Sequence, residues 1–213
     1  MSIHSPTRIS SQDIEDILPL TPMQESMLYQ YLKEPHSKLY FEQTCYEVTG
    51  NGYLDAEKLK EAWNVVTCDN EMLRTIFRWQ GLKKPVQVIL KNRAVPIKEI
   101  DLSTLSAGDR QHRLTKIKTE DRQDRLNLSS EPFRVILCKM TGNRYEMIVS
   151  NHHIIYDGWS NVIILKELAE AYNQIYLGKK WSGPGKSEYK EYIKWQQHQD
   201  KNQQTHFWKT FLN

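Results

Sequence analysis

Residues 133–153 read FRVILCKMTGNRYEMIVSNHH, two runs rich in β-branched and aromatic residues separated by Thr141, Gly142 and Asn143. Runs of this composition around a glycine-bearing turn predict a β-hairpin, and therefore antiparallel pairing. The second run ends on adjacent histidines and continues as IIYDGWSN (154–161). Successive side chains on a strand point to opposite faces, so His152 and His153 cannot easily share one task. One is expected to face the interior and the other an opposite surface or cleft.

Working outward, helices and strands alternate irregularly. LTPMQESMLYQYL (20–32) carries a strong helix start, with Thr21 as N-cap, Pro22 at the first helical position and Gln24 completing a capping box. Met23, Met27, Leu28, Tyr31 and Leu32 form its apolar stripe. YFEQTCYEV (40–48) reads as a strand closed by Gly50-Asn51-Gly52, after which Asp55 caps a helix presenting Leu59, Trp63 and Val66 on one face. LRTIFRW (73–79) and PVQVIL (85–90) read as strands joined at Gly81, with VPIKEID (95–101) a third. A highly charged surface helix over 107–126 precedes the hairpin. VIILKELAEAYNQIY (162–176) predicts an amphipathic helix, and two polar, aromatic-bearing helices end the sequence. The fold class expected is α+β, a mixed and largely antiparallel sheet with helices packed on it.

Composition narrows the function. The 213 residues suffice for one well-buried core. The formal charge of +3, with Lys and Arg scattered rather than striped, argues against nucleic acid. No apolar run approaches the ~18 residues that span a bilayer, and the N-terminus has no apolar signal core. No glycine-rich phosphate loop occurs. Cys45, Cys68 and Cys138 are three, widely spaced and in apolar settings, which predicts reduced core thiols and a cytoplasmic location.

Three readings of the histidine motif stand side by side. Both imidazoles can be satisfied polar groups closing a strand. A metal site is the weakest reading, since zinc wants three or four ligands at recognisable spacing and no further His or Cys pair supplies them. A catalytic imidazole fits a proton acceptor near neutral pH. Gly158 would let a substrate approach the backbone, and Asp157 would anchor an arginine that shapes the loop.

The stretch NHHIIYDGWS (151–160) resembles the HHxxxDG signature of nonribosomal peptide synthetase condensation domains, shared with the chloramphenicol-acetyltransferase-like superfamily. LTPMQESMLYQYL is similar to their opening helix. NEMLRTIFRW (70–79) is similar to their RHExLRTxF motif, with Asp69 and Asn70 standing where the family has Arg and His. The resemblance covers about residues 13–213, while a family member is roughly twice as long, with two chloramphenicol-acetyltransferase-like lobes and the site in a tunnel between them. It implies a flexible leader at 1–12, the N-terminal lobe at 13–200, and at 201–213 the start of the connection to a missing C-terminal lobe.

The same resemblance assigns roles. His153 would be catalytic, either as general base towards the attacking amine or as a hydrogen-bond partner positioning it. His152 would face inward and support the loop. Asp157 and Arg74 would form a buried structural ion pair, and the Gly158 backbone would shape the site. Ser160 lacks a nucleophile elbow. No metal or directly bound cofactor is implied, because the substrates ride on phosphopantetheine arms of donor and acceptor peptidyl carrier protein domains. An adenylation domain is expected in the same megasynthase. The continuation DGWSNVIIL (157–165) departs from the DGxSW pattern of epimerisation domains. Two rivals are a stand-alone chloramphenicol-acetyltransferase-like acyltransferase and a non-catalytic module that binds a carrier protein.

Overall fold

A computed structural model describes residues 9–49 and 54–212. Strands β1 (Ile14–Pro19), β4 (Val86–Leu90) and β3 (Thr75–Arg78) form a small antiparallel sheet in the order β1-β4-β3. Strands β2 (Phe41–Thr49), β7 (Arg144–His152), β6 (Phe133–Lys139) and β5 (Ile97–Asp101) form the larger sheet in that order. Its β2-β7-β6 part is antiparallel and only β5-β6 is parallel, so the mixed, largely antiparallel α+β expectation holds.

The alternation of side chains makes the larger sheet two-faced. Val135, Leu137, Met147 and Val149 point into the main core, where they meet α2 (Ala56–Asp69) and α4 (Gly158–Tyr176). Those helices contribute Leu59, Trp63 and Val66 from one and Ile164, Leu168 and Ala171 from the other. Trp63 is 1% exposed, so truncating it would cost roughly 3 to 5 kcal/mol. The alternate residues Ile136, Cys138 and Ile148 pack on Leu114 and Ile117 of α3 (Ala107–Gln123). That helix is otherwise charged and lies on the surface, because only these two of its apolar residues turn inward.

Local signals set the element starts. Thr21 Oγ1 accepts from the Gln24 N–H at 3.1 Å and Gln24 Oε1 from the Thr21 N–H at 2.9 Å, the reciprocal box that opens α1 (Pro22–Lys33). Asp55 accepts from the Glu57 and Lys58 amides and starts α2. Gly142, at φ 68°, closes the β6-β7 hairpin with a backbone that few side chains tolerate.

Other expectations need correction. β1 was not anticipated, since Glu15, Asp16 and Pro19 make it look unlike a strand; it is an edge strand, where a proline is tolerated. Glu71–Arg74 is a 3-10 turn rather than the start of β3, held by the Leu73 N–H to Asn70 and the Thr75 hydroxyl to Glu71. On α1 only Met27 and Leu28 of the apolar stripe are buried; Met23 and Leu32 are exposed. Cys138 is buried and Cys45 half-buried, but Cys68 lies exposed on the outer face of the last turn of α2. Of the expected leader 1–12, residues 1–8 lie outside the described residues, as does the Gly50-Asn51-Gly52 turn; Ser10 caps a 3-10 turn at Ser11–Asp13.

Candidate active site

β7 ends on His152, and His153 opens the turn that follows, with its side chain on the opposite face. The His152 N–H donates to the Pro132 carbonyl ahead of β6, at 3.0 Å, and the His153 N–H donates to the Tyr40 carbonyl ahead of β2, at 2.8 Å. Each backbone is thus pinned to a different neighbour.

His152 is 3% exposed and lies between the rings of Tyr31 and Tyr40. Its Nδ1 accepts from the Ile154 N–H at 3.1 Å, a bond open only to a neutral imidazole. Burial, with the Arg125 guanidinium and His153 adding to it, pushes its pKa down to about 4. A neutral, buried ring that grips the backbone two residues on supports the loop, and it does not titrate near pH 7.

His153 is one-third exposed, and its ring stacks on Tyr40 with centroids 6.5 Å apart. Its Nδ1 lies 2.7 Å from Oε1 of Glu42, whose Oε2 accepts from Asn151 Nδ2 at 2.9 Å. Tyr40 itself sits at φ 67°, the one non-glycine residue with positive φ among those described. Beside this group the Tyr156 hydroxyl is buried without a hydrogen-bond partner, and burial, with Glu42 and Tyr46, pushes its pKa far up. The phenol therefore stays neutral.

The structure does not bring Asp157 and Arg74 together. Asp157 is exposed and caps α4, accepting from the Ser160 N–H and hydroxyl, each at 2.9 Å. Those bonds hold its carboxyl below the usual carboxylate range. Arg74, only 5% exposed, instead donates to Glu15 on β1 at 2.5 Å and to the Leu90 carbonyl. The expected ion pair is replaced by a helix cap and a separate arginine anchor, because each charge finds a nearer partner. With Asp157 as the cap, α4 begins at Gly158 rather than Val162. Gly158 is exposed, with nothing within 4 Å of where a Cβ would stand, and Asn161 Nδ2 ties this first turn to the Tyr46 hydroxyl at 2.7 Å. Trp159, Val162 and Ile163 project into solvent from the same turns.

Asp69 and Asn70, the two departures from the RHExLRTxF pattern, have structural work. Asp69 accepts from the Trp181 indole at 2.6 Å, and Asn70 binds Glu167 and Lys186. Together they fasten the loop after α4 to the end of α2. Sequence reasoning missed Glu42 and Tyr40. The signal for Glu42 was present: Glu42, Thr44, Tyr46 and Val48 share the face of β2 that turns to the main core, where a carboxylate is out of pattern. Among the described residues no group of three His, Cys, Asp or Glu could hold a metal ion, and no helix is long and apolar enough to cross a membrane.

The fold that carries these two histidines is the fold of solved condensation domains. The first condensation domain of the CDA synthetase superposes with a TM-score of 0.73 at 20% identity, over 85% of this chain and 45% of that one. The starter condensation domain of rhizomide synthetase, solved as a mutant with C8-CoA, gives 0.75 at 19%, over 84% and 40%. In sequence the chain is 34% identical to surfactin synthase subunit 3 of Bacillus subtilis over 207 residues, 97% of this chain and 16% of that protein. It is 36% identical to bacitracin synthase 1 of Bacillus licheniformis over 208 residues, 96% and 4% respectively. The family model described as condensation domain matches residues 14–213, and the chain belongs to that family. It spans less than half of these solved domains and a small fraction of these synthetases.

Proposed function

We propose that this chain supplies the histidine-bearing lobe of a condensation domain that forms an amide bond between two carrier-bound substrates. The observation that carries the reading is the division of labour at the end of β7: His152 buried and neutral, His153 reachable and held by its neighbours. In the reaction the acceptor's amine nitrogen attacks the donor thioester carbon. The C–N bond forms, the C–S bond breaks, and the proton lost by the amine leaves with the thiol of the donor's phosphopantetheine arm. The Nε2 of His153 is the group to accept that proton or to hold the amine in line; His152, Asp157, Gly158 and Arg74 support the site without touching substrate.

The partners are donor and acceptor peptidyl carrier domains, with an adenylation domain in the same cytoplasmic assembly. Overlap with only 40 to 45% of the solved domains supports a second lobe as the other wall of the site. The chain by itself is then expected to be inactive, because the two arms cannot be held end to end and the advantage of positioning is lost. Incubation of the chain, and separately of the complete two-lobed domain, with loaded donor and acceptor carriers tests this by mass spectrometry of the carrier-bound products. Dipeptide on the acceptor arm with the complete domain only is the expected result. Turnover by the chain alone would instead make it a stand-alone acyltransferase, and carrier binding without turnover in the complete domain would make it a docking module.

A further inference from the structure

We infer that Glu42 is the positioning residue of His153: its carboxylate fixes the imidazole as the Nδ1–H tautomer and leaves Nε2 as the proton acceptor. The inference rests on the condensation reading for its consequence, but not for its geometry.

The construction follows from strand register. Glu42 on β2 lies directly opposite Asn151 on β7. His153, one residue past the end of β7, continues the pairing through its N–H to the Tyr40 carbonyl, so Asn151 and His153 both meet Glu42, one across and one diagonally. Both carboxylate oxygens are engaged: Oε2 accepts from Asn151 Nδ2 at 2.9 Å and Oε1 lies 2.7 Å from His153 Nδ1. An ionised carboxylate can only accept, so the hydrogen of that second contact belongs to Nδ1. A neutral imidazole with its hydrogen on Nδ1 has its lone pair on Nε2.

Two further contacts restrict the ring. Tyr40 stacks on one side of it, and the Tyr40 carbonyl holds the His153 N–H at 2.8 Å. Asn151, 3% exposed, fixes the far side of the carboxylate, so Glu42 cannot swing away without releasing a buried amide. A carboxylate set behind a histidine also stabilises the imidazolium that forms when Nε2 takes a proton. Glu42 acts only through His153.

The test reads the tautomer directly. In the chain with histidine imidazoles labelled with ¹⁵N, long-range ¹H–¹⁵N correlation distinguishes a protonated from an unprotonated ring nitrogen. The His153→Gln variant identifies the His153 signals. Wild type above neutral pH is expected to show His153 predominantly as Nδ1–H. Glu42→Ala is expected to shift it towards Nε2–H, and Glu42→Gln to shift it less, since a neutral acceptor makes a weaker bond than a charged one. Wild type dominated by Nε2–H, or variants of unchanged fold with an unchanged tautomer, would overturn the inference. Should Glu42→Ala fail to fold, the near-isosteric Glu42→Gln decides alone.

In the complete domain either variant is expected to lower kcat about tenfold to a hundredfold with KM unchanged, beneath the ceiling of about 10² to 10⁴ set by general acid–base catalysis. An unaltered kcat in a variant whose tautomer has shifted would also overturn it. A wild-type domain that forms no amide bond, while the tautomer responds as expected, would defeat the condensation reading and leave Glu42's hold on the ring standing.

Discussion

Arg74 Nη1 stands 2.5 Å from Glu15 Oε2, so the 3-10 turn that precedes β3 is locked to β1 across the small sheet. The arginine is buried while the glutamate is partly open to solvent. The two ends of this contact are therefore unequal. Removing Glu15 strands a buried cation with the Leu90 carbonyl as its remaining partner.

Glu15→Ala is expected to destabilise the chain by an amount approaching, from below, the roughly 3 to 5 kcal/mol of a fully buried broken pair. Asp157→Ala removes only an exposed N-cap, worth about 1 kcal/mol. Urea denaturation of the two variants should place Glu15→Ala well below Asp157→Ala. The reverse order would show that Asp157 has a buried role that its cap geometry conceals.

His152 makes stability depend on acid. Its folded pKa of about 4 lies below the ordinary histidine value of about 6.5, so between these values the unfolded chain binds the extra proton. Stability is then complete above about pH 6.5 and falls as the pH drops towards 4, by about 3 kcal/mol in all. Protonation must also break the bond from the Ile154 amide to Nδ1. Melting temperature followed from pH 7 to 4.5 should fall less steeply in a folded His152→Gln variant. Parallel curves would remove His152 as the cause.

His153→Ala, placed in the complete domain, should leave circular dichroism unchanged and slow amide formation by about 10² to 10⁴. A loss smaller than tenfold would leave the imidazole no proton-transfer role.

Trp159 is 83% exposed, and Val162 and Ile163 extend the same apolar face along α4. Contiguous apolar surface of this kind favours association, because burying it removes apolar area from water. Sedimentation velocity of the chain should show concentration-dependent association, reduced by Trp159→Ser together with Ile163→Ser. Behaviour as a monomer at all concentrations would argue that this face needs no cover.

What the sequence revealed was what lies close along the chain. The capping box of Thr21 and Gln24, the Asp55 cap and the Gly142 turn each involve residues at most a few positions apart, and each was read correctly. Pairings between distant segments were less legible. Nothing local told that β5 would run parallel to β6, or that Arg74 would choose Glu15, 59 residues upstream. The cap at Asp157 was local and still misread, because the motif's resemblance drew attention to a distant arginine instead of to Ser160. That His152 and His153 face opposite ways followed from strand alternation, while which of them turns inward came from the motif's resemblance. Glu42 reaches His153 only through strand register, over 111 positions.

The left-handed backbone of Tyr40 sets two demands on the protein against each other. An ordinary side chain at φ 67° costs on the order of 1 to 3 kcal/mol, which glycine would recover. Glycine would also delete the ring that stacks on His153 and walls in His152. Tyr40 also packs against the main core, so glycine there would exchange backbone strain for lost packing, and the melting temperature of Tyr40→Gly would weigh the one against the other.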